Sequence, residues 1–256
     1  MQWSNKLHEV LDEDRLVLYS QPVVRLTDLR IVNCEILVRI RDDNGNIVLP
    51  SQFIEYAESL GMVQEIDMRV VERLIEYLRQ PENQDHKIRY FVNLSRVSIA
   101  DPHWIKRFIG LLETSPVHPS QLVFEITETA AMSEIDVTLA FIRRLKGMGC
   151  RFALDDFGAG FSSFYYLKRF EVDYLKIDGS FIRDLATDDG SRIFVKALND
   201  VARELDKQVI AEWVETPEAL ALLLEMGAQF GQGYLFQRPV PLDTRDAQPR
   251  ILTSAA

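Results

Sequence analysis

Eight short apolar runs, each bounded by turn-forming residues and separated by longer amphipathic stretches, constrain this chain more than any other feature. They are Leu16 to Val24, Val32 to Ile40, Tyr90 to Leu94, Leu122 to Ile126, Phe152 to Leu154, Tyr174 to Ile177, Val209 to Ala211 and Tyr234 to Phe236. Their β-branched and aromatic residues predict strands. Helical spacing predicts helices over Phe53 to Leu60, Met62 to Leu78, Trp104 to Leu112, Ile135 to Met148, Ile193 to Leu205 and Ala219 to Met226. Thr216, Pro217 and Glu218 form a helix start: a capping hydroxyl, a proline in the first turn and an acid at the positive end of the dipole. Alternation of apolar strands with helices implies a parallel sheet covered by helices, and eight strands in a chain of this length imply that it closes. The link from Arg25 to Ile31 is too short for a helical crossover, so the first strand is a hairpin partner of the second. The predicted fold is α/β: a modified TIM-type barrel with seven parallel strands and an antiparallel first strand.

Composition excludes several functions. The net charge of −10 argues against binding a nucleic-acid polymer, which needs a basic surface to displace counterions. A small phosphodiester ligand stays open, because a metal can carry the positive charge. No apolar run reaches the roughly 18 residues needed to cross a bilayer, and Met1 to Lys6 lacks the apolar core of a signal peptide. A cytoplasmic protein, or the cytoplasmic domain of a larger one, is expected, without direct membrane insertion. Cys34 and Cys150 both sit in apolar runs and read as buried thiols rather than a disulfide. With no composition shift along the chain, residues 1–256 are expected to form a single domain with a core over about 10–242.

Polar residues gather where the strands end: Asn93, Glu125, the pair Asp155 and Asp156, Lys176 and Glu212, with Glu35 inside the second strand. Taken singly, each reads as a cap or a loop residue. Together they come from six strands whose ends share one barrel mouth, where active sites of such barrels lie. Carboxylates crowded there repel one another unless a cation holds them. The all-oxygen set of Glu35, Asn93, Glu125, Asp155, Asp156 and Glu212 suits Mg²⁺ or Mn²⁺ rather than zinc or copper. His8, His86, His103 and His118 all fall away from the strand ends. Adjacent Asp155 and Asp156 read either as a turn or as a pair serving two ions, which together activate a water and steady a leaving oxygen. Neighbouring acids favour the charged form of Lys176, which either orients that water, stabilises phosphoryl charge, or pairs with Asp178 two residues on. Gly158, Ala159 and Gly160 read as a flexible loop more than a phosphate cradle.

Eight segments in order resemble the motifs of EAL domains: Tyr19-Ser20-Gln21-Pro22, Glu35-Ile36-Leu37-Val38-Arg39, Val92-Asn93-Leu94-Ser95, Glu125-Ile126-Thr127-Glu128, Asp155-Asp156-Phe157-Gly158, Leu175-Lys176-Ile177-Asp178, Ala211-Glu212-Trp213-Val214-Glu215 and Gly231-Gln232-Gly233-Tyr234. The resemblance implies a metal-dependent phosphodiesterase that opens cyclic di-GMP to linear pGpG with a water activated by two ions, Mg²⁺ or Mn²⁺. It implies Glu35, Asn93, Glu125, Asp155 and Glu212 as metal ligands, and Asp156, with Asp178 as a further candidate, at the second ion. By the same resemblance Lys176 would act on the water, Glu128 would steady the loop after the fifth strand, and Gln21, Arg39 and Gln232 would contact the nucleotide. A homodimer and a place behind sensory modules, as the C-terminal part of a larger signalling protein, are implied in the same way. Two positions depart from the family pattern. Ile36 stands where alanine is usual, on the face opposite Glu35, and Trp213 stands where many members have glycine. The alternative is a catalytically silent cyclic di-GMP receptor; a barrel enzyme with Lys176 as a proton-abstracting base is a third reading.

Overall fold

The computed structural model describes residues 3–83, 87–158 and 164–243. A hairpin opens the barrel: β1 (Leu16–Arg25) and β2 (Arg30–Arg41) pair antiparallel, with Leu16 opposite Ile40 and Gln21 opposite Glu35. Six parallel strands follow β2 around the wall: β3 (Arg89–Asn93), β4 (Leu122–Thr127), β5 (Arg151–Phe157), β6 (Tyr174–Ile177), β7 (Gln208–Ala211) and β8 (Phe230–Gly231). β8 returns antiparallel to β1 through Val24 and Gly231, which closes the ring. Seven strands thus run one way and the first runs against them, as the short hairpin link predicts. Two-residue strands at Ile47–Val48 and Val240–Pro241 only extend the edges of β2 and β1.

Side-chain alternation divides the chain into two cores. Val23, Phe91, Val123, Ala153, Tyr174 and Ile210, with Phe230, fill the barrel interior as one apolar layer. Residues on the other strand face, among them Cys34, Ile36, Val92, Phe124, Phe152, Leu175 and Val209, join the helices in the larger outer core. Strand side chains repeat every second residue. On each of the six parallel strands, therefore, the residue two beyond the interior layer is also aimed inward, one level nearer the C-terminal mouth. Those residues are Asn93, Glu125, Asp155, Lys176, Glu212 and Gln232. The apolar layer is the floor of the site.

The helices cover the outer face. The longest are α3 (Val63–Arg79), α5 (Pro102–Thr114), α7 (Ile135–Gly147) and α10 (Asp189–Glu204), and α11 (Pro217–Glu225) begins as the sequence predicts, with the Thr216 hydroxyl accepting from Ala219 N at 3.2 Å. A helix the sequence reading omits, α1 (Trp3–Asp12), buries Leu7 and Val10 and stacks Trp3 on Tyr56 of α2 (Ile54–Ser59). Cys34 and Cys150 are both free and buried. His8, His103 and His118 are exposed, and His86, Ala159 and Gly160 lie outside the described residues. No described helix is long and apolar enough to cross a membrane.

One strand requires correction. Tyr234 to Phe236 forms a turn, and the eighth strand is Phe230–Gly231. After Gln232 the chain passes so close to Val214 that a side chain on Gly233 would overlap its backbone, and it then turns.

Asp67 of α3 pins the loop after β3, accepting from Ser95 N at 2.9 Å and Ser98 Oγ at 2.6 Å. Burial outweighs these bonds and pushes its carboxyl up to about 6. A raised acid stabilises the folded state at low pH and loses that contribution as pH rises through the folded value. Stability is therefore expected to fall by about 3 kcal/mol between roughly pH 4 and 7 on this account. Denaturant titrations of Asp67→Asn across that range should lack this component; an unchanged pH slope would show that Asp67 is ionised throughout.

Candidate active site

Lys176 occupies the centre of the mouth, 1% exposed, with its Nζ 3.2 Å from Glu35, 3.1 Å from Glu125, 3.1 Å from Asp155 and 2.8 Å from Glu212. Burial alone would lower the amine, but Asp155, Glu125, Glu212 and Glu35 together lift it well above its ordinary value. Its four acidic neighbours favour the ammonium form. That geometry removes the support for a proton-abstracting lysine. The pairing with Asp178 also requires correction: β6 ends at Ile177, and Asp178 instead caps α9 (Gly179–Arg183), its Oδ1 accepting from Ser180 N at 3.0 Å.

The acids outnumber their cation. Glu35 is the best served, accepting from Gln232 Nε2 at 2.7 Å, Asn93 Nδ2 at 3.0 Å and Lys176 Nζ at 3.2 Å. Burial works to raise its carboxyl, and these three donors hold it below the ordinary value. Burial and the neighbouring Glu35 raise Glu125 well above its usual range, and burial with Asp155 and Glu35 pushes Glu212 up to about 8 against the pull of Lys176. Oε1 of Glu125 and Oδ1 of Asp155 are buried with only the shared Lys176 ammonium beside them, each 3.1 Å away, and Oε2 of Glu125 is buried with no donor among the described residues. One ammonium shared among four carboxylates leaves a surplus of negative charge that a further cation would compensate. The donor set is hard and all oxygen, which fits a divalent ion such as Mg²⁺ or Mn²⁺.

Alternation would send Asp155 and Asp156 to opposite faces. A register shift in β5 between Leu154 and Phe157, with Asp156 at φ 53°, turns the second carboxylate back toward the mouth. Aspartate tolerates this left-handed conformation better than most residues. Asp155, Asp156 and Glu212 consequently offer oxygens within 4.8 Å of one another. Burial and the adjacent Asp155 push Asp156 up to about 6. Asp178 is outside this cluster, although its charge reaches Asp156.

Beside the cluster opens a cleft of about 400 Å³. Gln21, Glu35, Gln232 and Glu212 line it together with Trp213 and Tyr234. Gln232 Nε2 also donates to Gln21 Oε1 at 3.2 Å, and Gln21 Nε2 donates to Gln237 O at 3.2 Å. Arg39 is buried near the same wall, with Nη1 donating to Val38 O at 2.8 Å and its guanidinium 5.6 Å from the Tyr19 ring. Sequence reasoning named Gln21, Arg39 and Gln232 but assigned Tyr234 to a strand; the flanking Gly233 was the available sign of a turn.

Glu128 opens α6 (Glu128–Ser133) and takes the Gly158 amide at 3.1 Å. Gly158 has φ 104°, and a methyl group there would fall 2.7–2.9 Å from the rings of Phe181 and Phe194. Those rings stack with centroids 4.2 Å apart, joining α9 to α10. Gly158→Ala combines backbone strain with overpacking and is expected to cost about 1–3 kcal/mol. Differential scanning calorimetry checks this; an unchanged melting temperature would mean that the loop is not seated on the aromatic pair.

Comparison with known proteins agrees with this geometry. The model of the EAL domain matches residues 4–239, and the chain belongs to the EAL domain family. It is 35% identical over 243 residues to the cyclic di-GMP phosphodiesterase NbdA of Pseudomonas aeruginosa, covering 94% of this chain and 31% of NbdA. The chain thus spans about a third of the length of the curated relatives it matches. The c-di-GMP complex of the PaMucR phosphodiesterase superposes with a TM-score of 0.88 at 32% identity, covering 94% of this chain and 98% of that one. The c-di-GMP-bound EAL domain of FimX from Pseudomonas aeruginosa gives 0.85 at 31% identity, with 93% and 96% covered.

Proposed function

We propose that this domain is a divalent-metal-dependent phosphodiesterase that hydrolyses cyclic di-GMP to linear pGpG. The observation that carries the reading is the mouth itself: four strand-borne acids share one buried ammonium, and Oε2 of Glu125 is buried with no donor among the described residues. Relatives named as cyclic di-GMP phosphodiesterases supply the substrate.

In this reading Glu35, Asn93, Glu125, Asp155 and Glu212 would hold one Mg²⁺ or Mn²⁺, and Asp156, with Asp178 as a further candidate, would hold a second. When bound, such ions supply a water of lowered pKa and compensate charge on the phosphodiester oxygens. The protein positions everything else. Asn93 and Gln232 fix the Glu35 carboxylate by donating to its two oxygens. Lys176, held charged by its acids, orients the attacking water and stabilises negative charge developing on phosphorus-bound oxygen. Arg39 offers a planar fork of donors to a phosphate oxygen, and Gln21 and Gln232 present amides to the nucleotide along the cleft wall. Glu128, through the Gly158 amide, steadies the loop after β5. The domain acts as a homodimer in the cytoplasm; full activity from a monomer at every concentration would contradict the dimer.

Turnover with Mg²⁺ in heavy-oxygen water, followed by mass spectrometry, should place one heavy atom on the pGpG phosphate. Cyclic di-GMP that binds but is recovered unchanged with both Mg²⁺ and Mn²⁺ would make the domain a receptor.

A further inference from the structure

Trp213 has no part in the chemistry above, yet it follows Glu212 directly and lines the same cleft. Its φ of 54° is a left-handed conformation that bulky side chains rarely adopt, and 51% of its surface remains exposed. Neither burial of the indole nor local preference explains this conformation. Its contacts do. The indole lies against the bare Cα of Gly179, so closely that a methyl group there would overlap Cγ, Cδ1 and Cδ2 of the ring. Arg183, one turn further along α9, sets its guanidinium 4.5 Å from the ring centroid, within cation–π range.

The other side of the segment is fixed by backbone. Val214 N donates to Gln232 O at 3.0 Å, and Val214 O accepts from Leu235 N at 3.0 Å. Gly233 is the only residue type that fits against Val214, because any side chain would overlap its backbone. Residues 212–214 are thus held between α9 and the turn after β8, with a glycine admitting the segment on each side. On the α9 side, Gly179 directly follows Asp178, whose charge reaches Asp156. Within the segment, Glu212 is one of the three carboxylates whose oxygens lie within 4.8 Å of one another.

We propose that Trp213 is a positioning residue: by locking onto Gly179 and Arg183 it sets the spacing between the loop that carries Glu212 and the loop that carries Asp178, and so tunes the Asp155–Asp156–Glu212 cluster for divalent ions. A glycine at position 213 would adopt the left-handed backbone without strain but would provide no ring to join the loops. The inference rests on the two-ion reading proposed above.

Mn²⁺ titration of the whole chain, with the free ion counted by electron paramagnetic resonance, tests it independently of turnover. Wild type is expected to bind two ions. Trp213→Ala should weaken the looser of the two by about tenfold or more, the size typical of losing a group that orients metal ligands, with little change in melting temperature. Trp213→Phe, which keeps a ring over Gly179, should recover most of the affinity. Arg183→Ala, a surface change that leaves the fold untouched, should shift affinity in the same direction as Trp213→Ala. Two ions bound as tightly by Trp213→Ala and Arg183→Ala as by wild type would overturn the positioning role alone. A wild-type protein that takes up no Mn²⁺ would overturn the two-ion reading, and this inference with it.

Discussion

Lys176→Met is expected to abolish turnover, by about 10³-fold or more, and to destabilise the metal-free protein in the same stroke. Methionine nearly matches lysine in length, so packing above the apolar floor is kept and the effect is electrostatic. Lys176 Nζ lies within 3.2 Å of oxygens from Glu35, Glu125, Asp155 and Glu212. Removing one partner of a buried ion pair costs about 3–5 kcal/mol, because the remaining charge is left uncompensated. The acids respond by taking up protons, which the unfolded chain does not require at neutral pH. Glu125, Asp155 and Glu212, already raised, rise further, and Glu35 loses the ammonium that helps hold it low, so stability lost to the substitution grows as pH increases. Melting curves in EDTA at mildly acidic and mildly alkaline pH should show a larger deficit at the higher pH, with Mg²⁺ restoring part of it. A variant that melts like wild type at both would mean that Lys176 does not neutralise this cluster.

Glu35→Ala is expected to cut turnover comparably, by about 10³-fold, but to leave stability nearly unchanged. Two effects on the fold oppose each other. Buried Gln232 loses its shorter acceptor, at up to about 1–3 kcal/mol for a buried donor, although it keeps Gln21, and exposed Asn93 can turn to water. Against that, one negative charge leaves the mouth, and Glu35 is the main electrostatic neighbour that raises Glu125. Lys176 keeps three carboxylates within 3.1 Å. The two variants therefore separate the roles: one loses activity and stability, the other activity alone. Steady-state rates with matched thermal melts make the comparison. Glu35→Ala with wild-type turnover would remove Glu35 from the reaction.

How much of this was legible in the sequence follows from how far local rules reach. The period of two along a strand fixes which side chains face the interior. Asn93, Glu125, Asp155, Lys176 and Glu212 could therefore be placed at one mouth once their strands were recognised. Where a strand ends, the rule ends. Lys176 and Asp178 share a face only if β6 continues, and the chain turns into α9 after Ile177 instead. Asp156 reaches the mouth through a bulge, a feature set by tertiary pairing rather than by alternation. Tyr234 to Phe236 has the composition of a strand, but the contact of Gly233 with Val214 belongs to residues distant in sequence. The helix α1 has apolar residues at Trp3, Leu7, Val10 and Leu11, yet a helix of ten residues is marginal until it packs. Trp213 was visible as a departure from the family pattern; that its ring rests on Gly179 was not.

On the proposed function, the acids around Lys176 bind divalent metal and so support hydrolysis of cyclic di-GMP. Chromatography of purified protein incubated with cyclic di-GMP and Mg²⁺, with and without EDTA, tests it most directly. The expected result is pGpG that forms with Mg²⁺ and disappears with EDTA. Equal pGpG formation in EDTA, or no product with either Mg²⁺ or Mn²⁺ from a folded protein, would contradict it.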